Sequence, residues 1–173
     1  MGKGLPRSHS RGVPLLKEII KQTVTVDAAS LTVAGAAGVG FGSFVASDFP
    51  EGNVLFLGAV SYLQFTGPTT GDLSDTWAGD YAVGTTPADD GTLGGTDVDL
   101  VASTALAAAT AEVSPRTRAT GATAANAAVL DNTDGSLEIN VSLLVDDADI
   151  AADGIIFSVS GEIFLSYVML GDD

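Results

Sequence analysis

The feature that most constrains how this chain can fold is an alternation of apolar and polar residues with a period of two. It is clearest in SLEINVSLLV, residues 136–145, and it recurs in GIIFSVSGEIFLSYVML, residues 154–170. Successive side chains of a β-strand point to opposite faces of the sheet, so each run predicts a strand with one face in a hydrophobic core. The predicted core residues of the two runs are Leu137, Ile139, Val141, Leu143, Val145, Ile155, Phe157, Val159, Ile163, Leu165, Tyr167 and Met169.

Three further runs predict strands. Residues 23–33 alternate on either side of a break, and residues 76–84 place Trp77 and Tyr81 on one face, which predicts both rings in the core. Residues 52–67, GNVLFLGAVSYLQFTG, are apolar on both faces, which predicts a central strand covered on both sides. Turns rich in Gly, Pro, Asn and Asp separate the runs. We therefore predict an all-β fold, specifically an antiparallel β-sandwich that is jelly-roll-like and carries an extended N-terminal arm.

One segment does not follow this pattern. STALAAATAEV, residues 103–113, is rich in alanine, which favours a short helix. Its threonines and the nearby Pro115 oppose that assignment. Whether this segment is helical stays open at the level of sequence.

A glycine-rich stretch, VAGAAGVGFGSFVAS at residues 33–47, has three conceivable roles. A dinucleotide-binding loop would need a glycine at position 43 or 45, where Ser43 and Val45 stand, and no Gly-Lys-Ser/Thr follows. Residues 28–47 and 52–71 are each free of charge and long enough to span a membrane, but alternating strands explain both more simply. We predict that the glycines lie in a strand against which another backbone packs closely.

The charge of the chain is divided unevenly. Residues 1–21 carry five basic side chains and one acidic one, a net charge of +4, whereas the remaining 152 residues carry a net charge of −19. This division predicts a basic N-terminal arm with a short amphipathic segment at residues 1–22, and an acidic β-sandwich domain at residues 23–173. An acidic body repels nucleic acid, so we expect no nucleic-acid binding by the body. We also expect no membrane association.

The arm combines cations with apolar residues. Pro14 suits the first position of a helix, and the four aliphatic residues that follow it lie on one side of a short helix or an extended strap. Such a segment can bury apolar area on a partner and become ordered there. The arm residues predicted to bind a partner are Lys3, Arg7, Arg11, Leu15, Leu16, Lys17, Ile19, Ile20 and Lys21.

Arg116 and Arg118 are the only cations of the acidic body. In an extended segment both point to one face. They suit ion pairs within the fold and, equally, bidentate contacts to an acidic neighbour, so we include both among the predicted partner-binding residues.

Residues suited to catalysis are scarce. His9 is the single histidine and lies in the arm, and the chain contains no cysteine. The acidic runs DNTDGSLE and VDDADIAAD lack the spacing of an EF-hand loop and are typical of Asp-stabilised turns, although a calcium site assembled across subunits stays open. We expect no enzymatic activity and no cofactor.

Several segments of the sequence resemble those of small virion proteins of tailed bacteriophages, in particular capsid decoration or cement proteins. They are TVTVDAASLTVAGAAGVGFGSF, GNVLFLGAVSYLQF, DNTDGSLEINVSLLVDDADI and VSGEIFLSYVMLGDD, preceded by the basic arm. The resemblance implies a β-sandwich, often a homotrimer, that sits on the capsid exterior and binds the major capsid protein. The alternatives are a tail, neck or fibre module of a phage, and a carbohydrate-binding β-sandwich.

Overall fold

The computed structural model describes residues 18–36, 39–68, 73, 76–110, 116–122, 128–146 and 154–171. Nine strands account for most of these residues, and a short 3-10 helix spans Gly95–Asp97. The strands are β1 (Ile20–Ala36), β2 (Val39–Asp48), β3 (Asn53–Thr66), β4 (Thr76–Gly84), β5 (Val101–Thr110), β6 (Arg116–Ala122), β7 (Ala128–Leu130), β8 (Glu138–Asp146) and β9 (Ile155–Gly171). The prediction of an all-β fold is confirmed.

The strands form one curled sheet in the order β5-β4-β8-β2-β1-β9-β3-β6, with β7 also paired to β3. All pairs are antiparallel. We refer to β1, β9, β3, β6 and β7 as the β1 half-sheet, and to β2, β8, β4 and β5 as the β2 half-sheet. Without the short β7, the half-sheets have the strand orders β1-β9-β3-β6 and β2-β8-β4-β5, which is the pairing order of a jelly roll.

Strand β1 and the hairpin that follows it link the two half-sheets. Residues 20–33 of β1 pair with β9, whereas Ala34–Ala36 pair with Val39–Phe41 of β2. The break predicted within the first run is a bulge between Val26 and Ala29, where Ala28 has a φ of 49°. A bulge adds local twist to a strand. The bulge thus lies in the strand that passes from one half-sheet to the other.

The hydrophobic core fills the space between the half-sheets. Trp77 of β4 packs edge-on against Phe157 of β9 with ring centroids 5.0 Å apart. Tyr81 of β4 lies 5.2 Å from Phe65 of β3, and its hydroxyl is 2.8 Å from the Ser61 hydroxyl. Trp77 and Tyr81 are fully buried, as their place in the alternation predicted. The predicted inward residues of β8 and β9 are buried too, except that Leu137 and Met169 are partly buried.

Strand β3 departs from its prediction. Its inner residues Val54, Phe56, Leu63 and Phe65 are buried, but the apolar residues of its outer face are exposed. The prediction that residues 52–67 are covered on both sides is therefore wrong for this chain. An apolar outer face produces the same sequence pattern whether another layer of the chain covers it or not.

The alanine-rich segment is a strand over its described part. Val101–Thr110 form β5 and pair with β4, and Val101, Leu106 and Ala109 are buried, so a helix over residues 103–110 is excluded. Residues 111–113 lie outside the described residues. Hydrogen bonding to β4 and burial of one face outweigh the helix propensity of alanine, which is at most a few tenths of a kcal/mol per residue over most other residue types.

The glycine-rich stretch belongs to β1 and β2. A Cβ atom on Gly42 would lie 2.0 Å from the backbone oxygen of Thr32, so only glycine allows the two strands to approach this closely. This contact confirms the prediction of close backbone packing. No helix in the described ranges is long and apolar enough to cross a bilayer.

Gly42→Ala should lower the free energy of unfolding by about 1–3 kcal/mol, the usual cost of overpacking a tight interior. Gly94 is the matched control, because its φ of −165° suits any residue and a Cβ there would meet no atom within 4 Å. Urea unfolding of both variants and the parent chain measures the difference. Equal stability of the two variants would contradict the close approach of β1 and β2.

Candidate interaction surface

The outer side of the β1 half-sheet is apolar. Among the described residues, seven large apolar side chains of β3, β7 and β9 are exposed there. They are Leu57, Val60, Tyr62, Val129, Ile156, Phe164 and Leu170. We call this side of the half-sheet the apolar outer face. Exposed apolar groups that share one face mark interaction sites more often than scattered ones do.

The strand register brings several of these residues together. Val60 of β3 lies directly opposite Phe164 of β9, and the two side chains are 45% and 42% exposed. Three more apolar residues lie side by side across the sheet, because Leu55 of β3 lies opposite Val168 of β9 on one side and Val129 of β7 on the other. Directly opposite side chains on one face of an antiparallel pair are about 4.5–5.5 Å apart at Cβ. The apolar side chains therefore form a connected surface across three strands.

This surface is also poor in charge. Strand β3 contains no charged residue and β9 contains only Glu162, although the whole chain has a net charge of −15. Glu162 lies opposite Tyr62 on one side and Thr25 on the other. The two middle strands of the half-sheet thus carry one acid between them, whereas β1 contains Lys21 and Asp27 and β6 contains Arg116 and Arg118.

A shallow groove of about 230 Å³ interrupts the apolar outer face beside Tyr62, and Gln64, Ser160 and Gly161 complete its lining. Gly161 has a φ of +143°, and a Cβ there would lie 2.1 Å from the Tyr62 backbone oxygen, so glycine is required at this irregularity of β9. Ser160 Oγ accepts a hydrogen bond from Ala28 N at 3.1 Å. The groove is therefore held by the backbone of β9 and β1, and the Tyr62 ring, 51% exposed, stands at its edge.

The outer side of the β2 half-sheet is covered by the chain itself at β8. Asn140 and Ser142 of β8 point away from the core yet are buried, because the segment after β4 lies over them. Ala88 N donates to Ser142 Oγ at 3.1 Å, and Asn140 Nδ2 donates to the Thr85 carbonyl at 3.5 Å. Within the described part of this half-sheet, the one exposed large apolar side chain is Val45 of β2.

Asp99 fixes this covering segment to the end of β4. Its carboxylate accepts hydrogen bonds from Thr85 N at 2.8 Å and from Thr85 Oγ at 2.7 Å. Burial raises the pKa of Asp99, with a smaller rise from the nearby Asp97 charge, and the two Thr85 hydrogen bonds oppose these effects. The buried Asp97 accepts a hydrogen bond from Gly94 N at 2.9 Å. Asp97 also borders a surface pocket of about 410 Å³ with Thr86, Pro87 and Asp89.

The acidic turn after β7 is a hydrogen-bonded turn, as its sequence predicted. Asp131 Oδ1 accepts from Thr133 N and Oγ1, and Asp134 Oδ1 accepts from Ser136 N and Oγ. No cluster of three or more His, Cys, Asp or Glu side chains that could hold a metal occurs in the described residues. The second acidic run falls mostly on residues 147–153, outside the described residues.

The structure describes some of the predicted partner-binding residues and not others. Lys3, Arg7, Arg11, Leu15, Leu16 and Lys17 lie outside the described residues. Ile19, just before β1, and Ile20 and Lys21, at its start, are exposed, and Ile20 pairs with Tyr167. Residues 20–22, the last three of the predicted arm, therefore belong to a strand. The backbones of Arg116 and Arg118 lie in β6 opposite Thr66 and Gln64.

The residues of the apolar outer face were not among the predicted partner-binding residues. Val60, Tyr62 and Phe164 belong to runs predicted as strands and had no predicted role. The signal for them was the second apolar face of residues 52–67, which was predicted to be buried within the fold. Asn132 was missed as well: it is fully buried and bonds Phe49 O, Pro50 O and Leu137 N.

Comparison with solved structures gives distant likenesses. No family model matches the chain, and no curated protein sequence matches it. A structure of infectious bursal disease virus Gx strain superposes with a TM-score of 0.40 and 16% identity over 89% of this chain and 33% of the other. The VP2 subviral particle of the same virus gives a TM-score of 0.23 and 12% identity over 89% of this chain and 42% of the other. The chain thus spans well under half the length of either protein, and likeness at these TM-scores defines no function.

The free energy of unfolding should depend on pH, because burial raises the pKa of Asp99. A raised pKa means that the folded chain binds a proton that the unfolded chain has released, so this residue lowers stability as pH rises from 3.8 through its folded pKa. Asp99→Asn removes that contribution. The variant should therefore gain stability over the parent chain as pH rises through this window, as measured by urea unfolding at a series of pH values.

Asp134→Asn is the control of opposite sign. Hydrogen bonds from Ser136 lower the pKa of the Asp134 carboxyl, so its contribution is present above pH 3.8 and is lost as pH falls through the folded pKa. This variant should lose stability relative to the parent chain as pH rises. Parallel pH profiles for both variants would contradict the assignment.

Proposed function

We propose that this chain is a non-enzymatic structural protein of a virus particle, and that it decorates and stabilises a phage capsid by binding the outer surface of its major capsid protein. The observation that carries the proposal is the combination of a jelly-roll strand order with one open, apolar and charge-poor outer face. Jelly rolls recur in viral capsid domains, lectins and cupins. An open face of this kind suits a protein whose task is to assemble with others.

The interior supports a structural task. The described side chains between the half-sheets are aromatic and aliphatic, and Ser61 and Tyr81 satisfy each other by a hydrogen bond. An active site inside the sandwich would need a cavity and convergent ionisable groups. The buried Asp97 and Asn132 instead bond to backbone amides in connecting segments.

The N-terminal arm supplies a second contact in this proposal. Its cations and its apolar residues would grip neighbouring capsid subunits, and Arg116 and Arg118 would add contacts to acidic groups there. Several copies joined as a homotrimer would bind more tightly than one, because each further arm binds at a high effective concentration. The cations also oppose the negative charge of the acidic domain from which the arm extends.

A carbohydrate-binding β-sandwich is the second candidate. The observation that favours it is the groove beside Tyr62, because an exposed aromatic ring next to hydrogen-bonding side chains suits a sugar ring. Trp77 and Tyr81 cannot take this role, since both are fully buried.

Quantitative mass spectrometry of purified virus particles tests the proposal. Copy numbers comparable with that of the major capsid protein are expected for a decoration protein. A few to a few dozen copies would place the chain in the tail, neck or fibre instead. Absence from the particles would overturn the virion role and leave carbohydrate binding through Tyr62 as the function to pursue.

Replacement of Lys3, Arg7, Arg11 and Lys17 by Gln should weaken binding to capsid shells at low salt by roughly tenfold, since exposed ion pairs contribute about 0.2–1 kcal/mol each. The remaining affinity should depend less on salt than that of the parent chain. Binding is measured by co-sedimentation with shells over a range of salt concentrations.

The double variant Leu15→Ser, Leu16→Ser provides the comparison for the arm. It should weaken binding to a similar extent at low and high salt, because apolar contacts are not screened by ions. Full binding by both variants would show that the arm does not grip the shell.

A further inference from the structure

The exposed apolar side chains of the described residues are distributed unevenly. Seven of the ten lie on the apolar outer face, two lie at the start of β1, and Val45 lies on β2. The middle of the β2 half-sheet, at β8, is covered by the segment that follows β4, which forms hydrogen bonds with Asn140 and Ser142. We propose that a second copy of this chain covers the apolar outer face, which deepens the proposed assembly role and rests on it.

The size of the face agrees with a stable interface between proteins. Strand β3 has 14 residues, which at about 3.3 Å per residue gives a length of about 46 Å. Four strands at a spacing of about 4.8 Å give a width of about 19 Å and hence a face of about 900 Å². A stable protein interface buries about 800 Å² on each partner. One copy of the β1 half-sheet thus offers enough area for a specific contact.

The charge distribution favours another copy as the occupant. With a net charge of −15, two copies repel each other over most of their surfaces. A basic partner would be attracted by those acidic surfaces and would gain least at a face whose strands β3 and β9 carry a single acid. A like-charged partner approaches at the lowest cost where charge is absent. The centre of the apolar outer face is that place, because Glu162 is the only charged residue of β3 and β9, the two strands in the middle of the half-sheet.

The connected apolar rows also provide a suitable interface centre. Val60 and Phe164 stand opposite each other in the middle of their strands, away from the ends of the half-sheet. Binding energy concentrates in such central side chains, from which a partner can exclude water. Tyr62, two residues further along β3, adds an aromatic ring of the kind enriched at interface centres.

The test compares Val60→Lys with Val45→Lys in the full chain. Val60 and Val45 are the same residue type, are 45% and 47% exposed, and lie in strands of opposite half-sheets, so both variants change the charge and the side chain equally. Native mass spectrometry and light scattering at micromolar concentration should find the parent chain and Val45→Lys as oligomers. Val60→Lys should dissociate with an affinity lower by roughly 30-fold or more, the effect expected at an interface centre.

A thiol probe locates the contact without introducing a charge. The chain has no cysteine, so Val60→Cys and Val45→Cys each give a single reactive group. In the assembled protein the thiol of Val60→Cys should react with a maleimide much more slowly than that of Val45→Cys, and dilution to the monomer should remove the difference. The thiol measurement still tests the contact at Val60 if Val60→Lys fails to fold.

Two results would overturn the inference. The first is a parent chain that stays monomeric at micromolar concentration, and the second is equal behaviour of the Val60 and Val45 variants in both measurements. Because the purified chain is used alone, these results are independent of the copy number in virus particles. A monomeric chain that is nevertheless abundant in particles would therefore leave the decoration role standing while excluding self-association through this face.

Discussion

The packing of the two half-sheets against each other is the interaction on which the rest of the structure depends. Neither half-sheet could remain in water alone, because each presents a row of large apolar side chains on its inner side. The contacts between Trp77 and Phe157 and between Tyr81 and Phe65 join β4 of one half-sheet to β9 and β3 of the other. The Ser61–Tyr81 hydrogen bond crosses the same interface and fixes its register, since a buried hydroxyl without a partner would be costly.

Once the inner sides are joined, the two outer sides differ. The segment that follows β4 forms hydrogen bonds with Asn140 and Ser142 and covers β8, in the middle of the β2 half-sheet. The β1 half-sheet has no such cover over its described strands and presents Val60 and Phe164 to water. This difference between the two sides underlies both the proposed assembly role and the inferred contact between copies.

Alternation in the sequence was sufficient to predict β1, β4, β8 and β9 and the inner core. The inward residues of β8 and β9, and the burial of Trp77 and Tyr81, follow from their positions in period-two runs. One question left open by the sequence and one error had physical causes that a single sequence does not contain. The alanines of β5 favour a helix locally, and pairing with β4 overrides that preference. The outer face of β3 looks like a buried face, because an apolar surface for a partner and one for the core have the same composition.

The pairing of β1 with β9 has a consequence for how the protein is made. Ile20 is paired in register with Tyr167, and β3 lies on the other side of β9, so β9 is inserted between two strands that are synthesised long before it. Until the ribosome releases β9, β1 and β3 have no partner on the edges that pair with β9, and the β1 half-sheet cannot form. Contacts between residues so far apart in sequence also slow folding. Incomplete chains therefore have unpaired strand edges until β9 is made. At this stage they aggregate most readily and benefit most from chaperones.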